Sequence, residues 1–374
     1  MIVEEEIRHF AQSLGFARVG FTDTSPFDMA EKVMLDRLEK GLLGGMPWFT
    51  ADRVIASCRP RTQFPEAESL ISLAMPYSFG GDPLQGETRA LQGVVSRYAW
   101  EPDYHRKVRR KLQEIVAFID RLTGRQMPAR IVVDSGWLAE RAASARAGVG
   151  WFGKNANILV PGHGSRVFLG EILLPWPLVP DQSISKDCGR CDLCLRACPT
   201  AALTKPYEVD STRCVSFLTI EWKGAIPRDL RPQIGTWVFG CDACQDVCPW
   251  NRKTRPVAPA QLPLISDWAF PSLLWLVRLS EGEFRARFRG TALTRAKRFG
   301  LRRNAAIALG NLRQQAAVPA LTALLEDEEP LLRGHAAWAL GEIGGRQARL
   351  ALERAMAREV DAQALWEIRS ALGS

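Results

Sequence analysis

The tightest constraint on this chain is a block of cysteines: of the nine in its 374 residues, eight fall between positions 188 and 248. The first run is Cys188-x2-Cys191-x2-Cys194-x3-Cys198-Pro199, the second is Cys241-x2-Cys244-x3-Cys248-Pro249, and Cys214 stands alone between them. The C-x2-C-x2-C-x3-C-P spacing is that of ligands to a pair of [4Fe–4S] clusters. Three close thiolates hold three irons of one cubane, and the cysteine before the proline reaches across to the other. The second run lacks its first cysteine, and Cys214 is the natural replacement. Cluster one then takes Cys188, Cys191, Cys194 and Cys248; cluster two takes Cys198, Cys214, Cys241 and Cys244. Zinc ribbons use two locally closed pairs and have no need of a Cys-Pro ending each run. Disulfides fit poorly with an enzyme-sized intracellular chain.

A chain of this length can bury two or three cores, and 47% hydrophobic with 24% charged residues is a globular composition. The start, Met1-Ile-Val-Glu-Glu-Glu-Ile-Arg, has neither the basic nor the apolar region of a signal peptide. No apolar run reaches the length of a membrane span. With oxygen-sensitive clusters, the expected location is the cytoplasm, without membrane contact. The net charge of +8 is uneven. Between Arg252 and Arg303 twelve Lys or Arg face three acids, Asp267, Glu281 and Glu283. That asymmetry points to a polyanion partner.

Periodicity divides the rest. A helix over 4–14 precedes a strand at 17–20, a second helix covers 31–40, and 70–75 reads as a buried strand. A strand is expected at 93–98. Residues 103–123 form an amphipathic helix with Val108, Leu112, Ile115 and Ile119 on one face. A strand over 130–134 leads through Asp134-Ser135-Gly136 to a helix at 138–147, and a last strand spans 167–174. This alternation reads as an α/β domain over 1–180. A two-cluster ferredoxin-like domain covers 181–255. Beyond the linker prolines at 256, 259 and 263, one or two helices fit 261–288, and Ala-Leu-Gly recurs at 308, 339 and 371. Paired helices at that period make 256–374 a helical domain of HEAT-like repeats. The whole is an α+β multidomain chain.

A ferredoxin needs far fewer residues, so the N-terminal domain is expected to hold an electron acceptor. No G-x-G-x-x-G after a strand and no G-x-x-x-x-G-K-[ST] supports a nucleotide. Asp134, leaving a strand before Ser-Gly, is the best acid candidate, with an Asx turn as the structural alternative. Arg141 and Lys154 could bind an anionic cofactor tail. A corrinoid held by a protein histidine uses Asp-x-His-x-x-Gly. Asp103-Tyr104-His105 begins that way, but Val108 stands at the glycine position, so only binding with cobalt free of that ligand is compatible. His105 reads as structural, and Cys58 as a free buried thiol.

These blocks resemble the epoxyqueuosine reductase family, which acts in the last step of making queuosine in tRNA. The likeness runs through Ser96-Arg97-Tyr98-Ala99, Asp103-Tyr104-His105, Val133-Asp134-Ser135-Gly136, Glu140-Arg141-Ala142 and Gly150-Trp151-Phe152-Gly153-Lys154-Asn155. It continues to the cysteine block with its Pro249-Trp250-Asn251 ending and the repeats, and so covers nearly the whole chain. The resemblance implies base-off cobalamin in the N-terminal domain, reduced through both clusters by an external low-potential donor. It implies removal of the epoxide oxygen from epoxyqueuosine at the tRNA wobble position, with Asp134 as the proton donor. It sets Arg97, Arg141, Lys154, Ser216, Cys241 and Asp242 near cobalamin, with cluster two the nearer cluster. The basic helical tail, at Arg298, Arg302 and Arg303, is the expected phosphate contact, and the chain is expected to act as a monomer. A corrinoid reductive dehalogenase-like enzyme and a non-catalytic ferredoxin-type carrier are the alternatives; the carrier would hold iron without cobalt.

Overall fold

The computed structural model describes residues 2–77, 90–134, 136–252, 254 and 268–373. The loop expected at 80–83, Ser135, the linker prolines and most of 252–267 lie outside them. Two compact units share the chain in alternation. One comprises Met1–Gly81, Asp103–Thr212 and Ala243–Pro263, and the other Asp82–Pro102, Arg213–Asp242 and Leu264–Ser374.

The first unit is built on helices α1 (Ile2–Ser13), α2 (Asp28–Glu39), α3 (Ala51–Cys58), α4 (Tyr104–Thr123) and α5 (Glu140–Arg146), with strands β1 (Arg18–Asp23), β2 (Ser69–Pro76), β3 (Arg130–Val132) and β4 (Val167–Leu174). The strand order is β1-β2-β4-β3. Helix and strand alternate as the sequence indicates, yet every pairing in this sheet is antiparallel. The link from β2 through α4 to β3 crosses over the position of β4, but no two hydrogen-bonded neighbours run parallel, so the sheet is not of the doubly wound parallel kind. Central strands β2 and β4 are buried along nearly their whole length, which explains their almost unbroken apolar runs. Across them Ser72 stands opposite Glu171, and Val132 opposite Glu171 on the other side. Helix α4 buries Val108, Leu112, Ile115 and Ile119 completely. Each stabilises the unit by about 1.5–3 kcal/mol. Cys58 is buried between α2 and α5 in a cluster with Phe27, Leu70, Leu138 and Ala143.

In the second unit the expected strand at 93–98 shrinks to Val94–Val95, pairing in parallel with Trp237–Phe239. A 3₁₀ turn, Arg97–Ala99, follows at once. The cause is Asp242, whose carboxylate accepts from Ser96 Oγ at 2.5 Å and from the Arg97 N–H at 2.8 Å, turning the backbone away. Of the helices expected in 261–288, the described part holds Leu273–Leu276 and Glu281–Phe288, the latter opened by a Ser280/Glu283 capping box.

The repeats are helices α6 (Lys297–Leu312), α7 (Val318–Leu324), α8 (Pro330–Ile343), α9 (Arg346–Met356) and α10 (Ala362–Leu372). Helix α6 packs on α8, and α8 on α10. The Ala-Leu-Gly triplets are the points of contact. A Cβ on Gly310 would fall 2.9 Å from Ala339 Cα, and one on Gly341 2.9 Å from Ala371 Cβ. The glycine of each triplet thus lies on the alanine of the next.

Two of the three arginines expected to contact RNA are excluded by burial. Arg303 is completely buried on the inner face of α6. It donates to the carbonyls of Trp222 (2.7 Å), Gly224 (2.9 Å) and Leu218 (2.6 Å). Burial, then the charge of Arg231, pulls its pKa down to about 9, so it stays charged at neutral pH. Arg302 pairs with Asp327 at 2.6 Å and donates to the Val277 carbonyl. A basic run read along a sequence cannot separate a charged face from an inward helix stripe. Arg298, one-third exposed and 3.3 Å from Glu281, remains near the surface.

Candidate active site and cluster cage

Asp134 leaves β3 with a left-handed backbone, φ +49°, a conformation that costs a non-glycine residue on the order of 1 kcal/mol. Gly136 makes the turn possible, because a Cβ there would lie 2.2 Å from Val132 Cγ1. The Asp134 N–H donates to Glu140 Oε1 at the start of α5. Its carboxylate Oδ2 lies 3.2 Å from His105 Nε2, and His105 Nδ1 lies 2.6 Å from Asp103 Oδ1. Asp103 also caps α4 through the His105 N–H. Partial burial opposes a charge on His105, but the bonds to Asp134 and Asp103 outweigh it and raise the pKa. The ring is therefore a structural bridge between two carboxylates. Val108, where a cobalt-binding motif would need glycine, is core.

Asp134 lines a cavity of 1260 Å³ in this unit, with Tyr104, Gly136, Glu140, Arg141 and Phe168 among its walls. That exceeds the roughly 300–1,000 Å³ of ordinary small-molecule sites. Tyr104 stacks flat on Phe168 with centroids 4.1 Å apart, giving the wall an aromatic panel. Arg37, Arg53, Arg141, Arg146 and Lys186 add positive charge. Arg141 is open to the cavity yet enclosed by protein, its Nη1 donating to the Ala156 carbonyl at 2.6 Å. Enclosure, then the neighbouring Arg37, lowers its pKa. Volume, apolar panel and cations fit a macrocycle with an anionic tail, and the His105 nitrogens, both engaged by carboxylates, fit cobalt left without a histidine ligand.

The four cysteines expected to hold cluster one also lie in this unit. Cys188, Cys191, Cys194 and Cys248 line one hollow of 250 Å³ with Lys154, Asn155, Leu159 and Trp250. Among the described residues no three Cys, His, Asp or Glu side chains stand close enough to share one metal ion. Four cysteines round one hollow therefore suit a polynuclear cluster better than zinc. Lys154, expected near the cofactor tail, donates to the Gly189 carbonyl at 2.6 Å and belongs to this hollow. Arg97, Ser216, Cys241 and Asp242 belong to the second unit, where buried Arg97 is tied to Asp242 at 3.3 Å. Ser216 lies in the short helix after Cys214.

Three family models match the chain: "4Fe-4S double cluster binding domain" over residues 187–251, "Epoxyqueuosine reductase QueG, DUF1730" over 58–135, and "HEAT repeats" over 289–373. The epoxyqueuosine reductase of Pseudomonas aeruginosa is 40% identical over 91% of this chain and 94% of its own length. That of Bacillus cereus is 34% identical over 99% and 97%. The chain belongs to the epoxyqueuosine reductase family. It is an oxidoreductase with a double [4Fe–4S] domain and HEAT repeats. Among solved family members, one crystallised with an epoxyqueuosine-modified tRNA-Tyr stem loop matches at TM-score 0.91, 34% identity, 100% of this chain and 98% of that one. The Bacillus subtilis enzyme with its catalytic loop swung out of the active site matches at 0.89, with the same identity and coverage. No helix among the described residues is long and apolar enough to cross a membrane.

Sequence reasoning missed two residues beside this family's Asp-Ser-Gly turn, Glu140 and Glu171. Glu171 is wholly buried in β4; its Oε1 accepts from Ser72 Oγ at 3.2 Å, and its side chain also shares a hydrogen bond with that of Glu140. Ser72 Oγ is also 2.8 Å from Ser144 Oγ. Burial, then the charge of Glu140, raises the Glu171 pKa well above the carboxylate range. Burial, then the charge of Asp134, pushes Glu140 up to about 8. The available signal was a glutamate inside Val-Phe-Leu-Gly-Glu-Ile-Leu-Leu, a run otherwise fit for a buried strand.

Proposed function

We propose that this chain reduces epoxyqueuosine to queuosine at the wobble position of tRNA, with Asp134 as the acid that protonates the departing oxygen. The observation carrying this reading is the Asp134 carboxylate, held by His105 at the wall of a cavity large enough for a corrin and an unstacked base. Arg141 and its cationic neighbours would hold the anionic tail of base-off cobalamin. When bound, cobalamin supplies a strongly reducing metal centre next to the epoxide. Two [4Fe–4S] clusters, whose potentials extend to about −700 mV, are the source of electrons, charged by an external donor. Cys188, Cys191, Cys194 and Cys248 hold one, and spacing assigns Cys198, Cys214, Cys241 and Cys244 to the other. An epoxide oxygen leaves as an alkoxide unless protonated, so an acid at hydrogen-bond distance is required. Asp103 fixes the His105 ring, and the ring fixes the Asp134 carboxyl. Arg298 supplies a phosphate contact to the tRNA. The reading implies a cytoplasmic monomer.

The test is conversion of epoxyqueuosine tRNA by anaerobically purified protein supplied with cobalamin and a low-potential reductant. Wild type should convert it, carrying about eight irons and one cobalt per chain, while Asp134→Asn should keep both metals and lose conversion. Iron without cobalt binding would overturn the reading, as would full conversion by Asp134→Asn.

A further inference from the structure

Removing an epoxide oxygen to leave a double bond breaks two C–O bonds, forms one C=C bond and releases water. The balance takes two electrons, here from a low-potential one-electron reductant, and two protons. Asp134 carries one proton at a time, so within each turnover it must be recharged or a second acid must act.

Three carboxyls, Asp134, Glu140 and Glu171, are clustered behind this wall of the cavity. Glu140 lines the cavity and accepts the Asp134 N–H; Glu171, opposite Ser72 in the sheet, is sealed beneath it. The surrounding groups are few. Asp134 faces Glu140 from the β3–α5 turn and Arg141 acts on both, while His105 of α4 bonds the Asp134 carboxylate and Asp103, the cap of α4, bonds His105. Arg37 of α2 faces Arg141, and Ser72 and Ser144 offer hydroxyls. Among the described residues no cation pairs with Glu171. Arg141 offsets part of the charge, but carboxyls this close, with Glu171 wholly buried, cannot all ionise, so the group retains a proton.

We propose, resting on the reading above, that Glu140 and Glu171 form a proton store that recharges Asp134 for the second protonation of each turnover. Both are positioning residues acting through Asp134. The raised pKa values of the pair agree with storage at neutral pH.

Two measurements on the cofactor-loaded full chain test this. Infrared spectroscopy with H/D exchange should show a protonated-carboxyl carbonyl band at pH 7 that disappears in Glu171→Gln or Glu140→Gln. In wild type, kcat should fall above about pH 8, where Glu140 ionises. Glu140→Gln, which keeps an acceptor for the Asp134 N–H, should lose that alkaline limb and lower kcat about 100-fold with KM and metal content unchanged. The store is overturned if no such band changes on substitution, if Glu140→Gln keeps wild-type kcat and limb, or if the limb moves with His105→Asn instead. Inactive wild type with the band intact would sink the tRNA reading alone.

Discussion

The first unit sets Glu140, at the cavity wall, against the wholly buried Glu171, with hydroxyls and a backbone N–H as their neutral partners and no cation paired to Glu171 among the described residues. The second unit buries charges under the opposite rule. Glu367 is gripped by Arg231 and by Arg228, each at 2.5 Å, and Arg303 gives its donors to three carbonyls. His335 stays neutral, its pKa well below the usual value because of burial and Arg231, with Nδ1 donating to the Leu331 carbonyl. Matched buried charge ties helices together. Like charge set together lowers stability, and the proposed proton store would be the reason to keep it. The same residue types are thus paired with opposite charge in one unit and set beside like charge in the other.

The sharpest way to break this contrast is truncation. Arg303→Ala, which leaves three carbonyls without their donor, should cost about 3–5 kcal/mol, read as a fall in Tm or loss of soluble protein. Arg302→Ala should cost about 1–3 kcal/mol through the lost Asp327 and Val277 contacts, while tRNA affinity at matched folding stays unchanged. A tRNA-specific loss would return Arg302 to the RNA face. Glu140→Gln should do the reverse and stabilise. Its wild-type carboxyl has a folded pKa raised to about 8. The stability contributed by the proton is full below the unfolded value near 4.5 and is lost as pH rises through about 8. The Tm advantage of the glutamine variant should therefore grow between those limits, and a flat difference would contradict the raised pKa. Smallest of all, Arg298→Glu should weaken tRNA binding a few-fold and reduce the salt slope by about one; unchanged affinity would free Arg298 of that role.

Much of this was legible in the chain. The α4 stripe of Val108, Leu112, Ile115 and Ile119 and the Ala-Leu-Gly triplets map onto observed contacts, and Cys188, Cys191, Cys194 and Cys248 line one hollow, because each is a local pattern with few geometric solutions. Asp134 could be singled out because a strand-exit acid before glycine is a local pattern as well. What stayed hidden depends on long-range partners. Glu171 gains its carboxyl neighbour only because β2 brings Ser72 opposite it and α5 brings Glu140 above it. Arg302 and Arg303 read as surface charge because nothing nearby in sequence shows the carbonyls they turn inward to meet. Val94–Val95 stops short because Asp242, far along the chain, captures the next two residues.

The alternation of chain segments between the units fixes an order of assembly during synthesis. The sheet, the cavity and Asp134 emerge from the ribosome early, followed by Cys188, Cys191 and Cys194, but the last segment of the first unit comes only after Arg213–Asp242. Cys248 lies in that last segment. On the ligand set proposed above, the cage has three of its four thiolates until that segment is made. The proposed cluster site is therefore complete only once translation has passed position 248, after the sheet, the cavity and Asp134 have all been made.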